Sequence, residues 1–117
     1  MIANNWDEAK KQVDDWKLSG QKIVFTNGCF DILHRGHVEY LTEAKACGDK
    51  LVTALNSDTS VRGLKGEARP IQSQEDRAVI LDALESVDLV VIFDQETPAK
   101  IIKTLLINEE LHEEEII

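Results

Sequence analysis

Residues 26–37 read TNGCFDILHRGH and continue directly from the apolar run KIVF at 22–25. KIVFTN (22–27) has the character of a buried strand. From Gly36 to Cys47, Val38, Leu41 and Ala44 fall on one stripe and Gly48 follows, which predicts a helix. The stretch is therefore a strand-to-helix turn. Two of the chain's three histidines, His34 and His37, sit on it with Gly36 between them.

Upstream, Trp6, Ala9, Val13 and Trp16 recur at helical spacing before Gly20, so residues 1–20 form an amphipathic first helix. Downstream, KLVTALN (50–56) reads as a second strand, apolar on both faces as a covered parallel strand is. Residues 57–72 have little periodicity, two glycines and a proline, and read as a loop. Ser73 followed by Asp76 resembles a helix start, continued by Ala78, Leu81, Ala83 and Leu84. VDLVVIF (87–93) is a third strand, and Thr97-Pro98 caps a last helix carrying Ile101, Ile102, Leu105 and Leu106.

Strands alternating with helices predict an α/β fold with a Rossmann-like parallel sheet flanked by helices. In such sheets ligands bind outside the carboxyl ends of the strands. TNGCFDILHRGH, NSD (56–58) and FDQET (93–97) all leave those ends, so the polar clusters converge on one edge.

The totals set limits. A chain of 117 residues is one domain by length, and its 43% hydrophobic and 30% charged content is ordinary for a globular protein. No run reaches the ~20 apolar residues of a membrane span, and the acids and tryptophans of 1–20 are unlike a signal peptide. The expected setting is cytoplasmic, with no membrane partner. Cys29 and Cys47 offer no disulfide framework. A net charge of −9 argues against a nucleic-acid partner. Five of the 22 acidic residues lie in 109–115, however, so much of the acidity belongs to a tail at 108–117 and a small anionic substrate is compatible. All four arginines (Arg35, Arg62, Arg69, Arg77) fall in the opening motif or in 62–77, and their planar forks suit phosphate.

Several chemistries fail on spacing. Gly28 and Gly36 do not make G-x-G-x-x-G, and no lysine follows Gly36 as a P-loop requires. Cys29, Asp31, His34 and His37 lack the paired-cysteine spacing of structural zinc. A Cys29 nucleophile with His34 as base is weaker than a small buried cysteine at a strand end. A phosphate site fits better. A helix N-terminus offers free N–H groups and a positive dipole end, two imidazoles one turn apart point the same way, and Gly36 leaves room for close approach of a ligand.

TNGCFDILHRGH resembles the G-x-F-D-x-x-H-x-G-H signature of the cytidylyltransferase-like nucleotidyltransferases. NSD at 56–58, VRGLKGEARPI at 61–71, EDR at 75–77 and VDLVVIFDQETP at 87–98 agree in order. Together they look most like the heptose-1-phosphate adenylyltransferase group over about residues 20–106. The resemblance implies the nucleotidyltransferase fold over 21–107 and transfer of AMP from ATP to D-glycero-D-manno-heptose 1-phosphate with release of pyrophosphate. Magnesium accompanying ATP or CTP is the expected ion, with no separate protein metal site, and a homodimer the expected assembly. By carry-over His34, His37 and Lys65 act in catalysis. Asn27, Gly28, Cys29, Phe30, Asp31, Gly36, Arg77 and Thr97 lie along the nucleotide, and Asn56, Asp58 and Arg62 near the acceptor. Glycerol-3-phosphate cytidylyltransferases and FAD-synthetase-like enzymes share the signature and remain alternatives, as does an inactive nucleotide-binding or assembly module. The family pattern continues with a Lys-Gly-Gly-Asp-Tyr-like turn and a Ser-Thr-Thr turn, whereas this chain runs LLINEELHEEEII. Three strands are thus expected, with the first left as a sheet edge and His112 in a solvated helix.

Overall fold

A computed structural model describes residues 1–106 and 114–116. The elements run α1 (Trp6–Leu18), β1 (Ile23–Gly28), α2 (Arg35–Ala46), β2 (Lys50–Asn56), α3 (Asp58–Lys65), α4 (Gln74–Asp82), β3 (Leu89–Phe93), α5 (Ala99–Leu106) and β4 (Glu114–Ile116). Among the described residues the four strands are all parallel, in the order β3-β2-β1-β4. The three predicted strands are present and carry the sheet.

Alternation along each strand builds two cores. Ile23, Phe25, Val52, Ala54, Leu89, Val91 and Phe93 face α1 and α5, meeting Ala9, Val13, Ile101 and Leu105. Val24, Leu51, Leu55 and Val90 face the other way, onto Leu41 and Ala44 of α2 and Ala78 and Leu81 of α4. Both faces are covered, which is why the strands read as unbroken apolar runs. The Trp6 indole N–H donates to the Ile92 carbonyl at 2.8 Å, tying α1 to β3. Beyond β3, the Ala3 N–H donates to the Val90 carbonyl and the Val90 N–H to the Met1 carbonyl, so the N-terminal residues shield that sheet edge.

Two expectations are corrected. Residues 57–72 are not all loop: Ser57 caps α3 by accepting the Ser60 N–H at 3.1 Å. That helix is too short, and too interrupted by Gly63, for periodicity to reveal it. Nor is β1 an edge. The tail supplies β4, which pairs Ile23–Phe25 with 114–116. The rest of 108–117, His112 included, lies outside the described residues. Among the described residues β4 reaches only Phe25, so the carboxyl end of β1 (Thr26–Gly28) opens into a crevice where the strand order reverses.

Candidate active site at the carboxyl end of β1

A cleft of about 460 Å³ opens at this point, lined by Asn27 to Ile32, His34, His37, Tyr40 and Lys65. Its shape comes from the turn between β1 and α2. Phe30 has φ +47 and Ile32 φ +63, two left-handed residues that bend the chain sharply off the strand. Phe30 folds back over Gly28, where a Cβ would stand 2.9 Å from its ring. It is buried and meets His37 edge-on at 5.7 Å between centroids.

His34 is the N-cap of α2. Its Nδ1 accepts the Gly36 N–H at 3.0 Å, and the Nδ1 of His37 accepts the His34 N–H at 3.2 Å. This reciprocal cap fixes the tautomers. Each Nδ1 needs its lone pair for the backbone, so the ring proton sits on Nε2, on the edge turned away from the helix. The rings lie 4.0 Å apart at a tilt of 33°. Burial, then the neighbouring charges of His34 and Lys65, push the His37 pKa below its ordinary value. The cleft therefore offers two Nε2–H donors, the Lys65 ammonium and the positive end of α2. A Cβ on Gly36 would stand 2.8 Å from the His34 ring, so that glycine makes room for the histidine itself rather than for a ligand.

Asp31 lines the cleft, but its carboxylate is committed within the protein. Its carboxylate accepts from Arg69 Nε at 2.7 Å and from the N–H groups of Ile71 and Gln72 at 2.8 and 3.0 Å. Burial alone raises its pKa. The two N–H groups and the guanidinium outweigh that and bring it down to about 2. The segment before α4 is thereby clasped to the histidine turn.

Other predicted residues are placed differently. Arg77 does not line the cleft: its side chain is 0% exposed. It donates to the carbonyls of Gln72, Cys29 and Asn56 and to the Asp58 carboxylate, at 2.7–3.0 Å. Asn56 is buried, with its amide donating to Ser60 Oγ at 2.9 Å. Arg62 and Thr97 are exposed and do not line the cleft. Cys29 lines it as a half-buried free thiol. Sequence reasoning passed over Tyr40, whose hydroxyl lies 2.8 Å from Thr26 Oγ1. It stands three residues after His37, as His37 stands three after His34, and that repeat was the available signal. Among the described residues no group of three or more His, Cys, Asp or Glu side chains could hold a metal ion, and no helix is long and apolar enough to cross a membrane.

The model of the cytidylyltransferase-like family matches residues 25–115. The chain belongs to that family. It is 63% identical over 99 residues to the bifunctional protein HldE of Wolinella succinogenes, covering 85% of this chain and 21% of that protein. Against HldE of Aliarcobacter butzleri it is 65% identical over 100 residues, 86% of this chain and 21% of the relative. The chain thus spans about a fifth of the length of these relatives. The crystal structure of a lipopolysaccharide core biosynthesis protein from Thermoplasma volcanium GSS1 superposes with a TM-score of 0.67 at 32% identity, covering 74% of this chain and 69% of that one. The expected nucleotidyltransferase fold is borne out.

Proposed function

We propose that the cleft transfers a nucleoside monophosphate from a triphosphate to a small phosphorylated acceptor, and that the pair is ATP and a heptose 1-phosphate. The observation that carries the reading is the stacked histidine pair, with both Nδ1 atoms held by the backbone and both Nε2–H groups left for an anion. An acceptor phosphate oxygen attacks the α-phosphorus, forming one P–O bond while the bond to the bridging β-oxygen breaks and pyrophosphate leaves. The nucleophile is already ionised, so no side-chain base is required. Positioning and stabilisation of the charge on the transferring phosphoryl oxygens remain as the protein's task, and His34, His37, Lys65 and the α2 N-terminus suit it.

Magnesium would enter with the triphosphate as part of the substrate, because Asp31, the one carboxylate lining the cleft among the described residues, is committed to Arg69 and two backbone N–H groups. The choice of ATP and heptose 1-phosphate follows the motif resemblance, and the likeness to HldE and to a lipopolysaccharide core biosynthesis protein supports it. By the same resemblance the working assembly is a homodimer.

Pyrophosphate release measured across four nucleotides, with heptose 1-phosphate and glycerol 3-phosphate as acceptors, tests this. We expect release with ATP and heptose 1-phosphate, and a loss on the order of 10²–10³ in rate for His37→Ala with its fold intact. Signal only with CTP and glycerol phosphate would overturn the substrate pair. Binding of ATP without release by any pair would make the domain a nucleotide-binding module. Equal ATP binding by the wild type and His37→Ala would remove the phosphate site.

A further inference from the structure

Ile32 holds φ +63, a left-handed conformation that is an outlier for a β-branched residue. The residue is 49% exposed, so packing constrains only half of it. Its backbone has a side-chain partner as well: the Ile32 N–H donates to Gln72 Oε1 at 3.1 Å. Gln72 is fixed at two further atoms. Its N–H donates to Asp31 Oδ1 at 3.0 Å and its carbonyl accepts from Arg77 Nε at 3.0 Å. The Asp31 and Arg77 side chains are 1% and 0% exposed, so both anchors are rigid. A side chain from the segment before α4 thus grips the backbone two residues ahead of His34, the cap of α2.

We infer that Gln72 is a positioning residue: by holding Ile32 left-handed it sets how the chain enters α2, and with it the placement of both imidazoles over the cleft. Without the amide oxygen, Ile32 relaxes toward the ordinary β or helical regions. The turn then swings His34 out of the geometry in which its Nδ1 meets the Gly36 N–H. His37 loses the partner that fixes its own tautomer, because that partner is the His34 N–H. Gln72 touches no substrate in this scheme. The inference deepens the nucleotidyl-transfer reading and its kinetic arm rests on it; its spectroscopic arm does not.

The test uses the full chain. Gln72→Ala removes the amide oxygen while keeping both backbone bonds; Gln72→Glu keeps an acceptor oxygen. Imidazole ¹⁵N spectra of the nucleotide-free protein report the tautomers directly. We expect Nε2–H forms for both rings in the wild type and in Gln72→Glu, and averaged or doubled signals in Gln72→Ala. Adding Ile32→Asn to Gln72→Ala should restore the wild-type pattern, since asparagine tolerates the left-handed region. In turnover, Gln72→Ala should lower kcat by about ten- to a hundredfold while KM for ATP stays within about threefold, and Gln72→Glu should recover most of the loss. Wild-type histidine spectra in Gln72→Ala overturn the inference, as does wild-type kcat in an active enzyme. So does a loss that follows thermal stability and is rescued by neither Gln72→Glu nor Ile32→Asn. If no nucleotide supports turnover in the wild type and Gln72→Ala still disturbs the spectra, the transfer reading falls and the role of Gln72 stands.

Discussion

In the turn between β1 and α2, His34 and His37 give one ring nitrogen each to the backbone and keep the other edge for the cleft. In the segment from Asn56 to Arg77, the buried polar side chains give their hydrogen-bonding atoms to the protein itself. Both regions lie at the carboxyl edge of the sheet, and both carry polar residues that sequence position alone assigns to a ligand. The difference is saturation. Arg77 donates to three carbonyls and a carboxylate, which leaves little with which to grip phosphate. Histidines held at one nitrogen still have a donor to offer. One region faces the cleft and the other braces the wall behind it.

The bluntest way to break that contrast is to remove the brace. Arg77→Met keeps much of the volume but strips the donors from the Cys29, Asn56 and Gln72 carbonyls and unpairs Asp58. Losing one partner of so enclosed a cluster typically costs about 3–5 kcal/mol, so urea unfolding should show a loss of at least about 3 kcal/mol. A variant of wild-type stability that no longer binds ATP would move Arg77 to the substrate side.

Asp31 braces from the opposite wall, and its charge makes the contribution depend on pH. Its pKa falls from 3.8 to about 2 on folding, so the unfolded chain binds the proton more readily. Stability from this group is fully present above pH 3.8 and is lost as the pH falls toward 2, amounting to about 2 kcal/mol. Asp31→Asn should remove that acid dependence and lower the neutral-pH stability by a similar amount. An unchanged acid-unfolding profile in Asp31→Asn would show that the clasp does not bear on the fold.

Much of this architecture is legible in the sequence, because the covered strands and the α1, α2 and α4 stripes are driven by burial, which leaves a periodic trace. The Ser73 cap is legible for a different reason: Ser-x-x-Asp ahead of an apolar stripe is itself a spaced pattern, and Ser73 Oγ accepts the Asp76 N–H. The legibility ends where single hydrogen bonds decide the structure. Helix α3 rests on Ser57 and on the Asn56–Ser60 bond, and neither makes a pattern. β4 is a three-residue strand from an acidic run that no β-propensity picks out. In the site, the histidines were visible through spacing. The inward turn of Arg77 was not, because a guanidinium placed for phosphate and one placed for carbonyls have the same letter.

Gly36 sharpens the contrast at smaller scale, because stability and activity should part there. Glycine inside a helix is usually about 0.5–1 kcal/mol less stable than alanine, so Gly36→Ala has a backbone reason to gain stability. The added Cβ would stand 2.8 Å from His34 Cε1, the movable end of a side chain, so the ring is displaced rather than the helix. We expect thermal stability within about 1 kcal/mol of wild type and pyrophosphate release reduced by about tenfold. Equal losses in both would mean that the glycine serves the helix and not the histidine.

The smallest expected effect is the titration of His37, and it bears on what keeps that ring facing the cleft. Protonating Nδ1 would abolish the bond it accepts from the His34 N–H, so the reciprocal cap exists with His37 neutral. Its folded pKa lies below 6.5, chiefly through burial and then through His34 and Lys65. The unfolded chain therefore binds the proton first as pH falls. The stability tied to this ring is complete above 6.5 and declines as pH drops through the folded value. Following the His37 Cε1 proton by NMR should give a midpoint below 6.5 in the free protein. Lys65→Met should raise that midpoint without restoring 6.5, because burial, the larger cause, remains. ATP should raise it by bringing negative charge against the ring, so that nucleotide binding takes up protons in slightly acidic solution. A midpoint at or above 6.5 in the free protein, unmoved by ATP, would place His37 among the bracing residues and leave the cleft without its second donor.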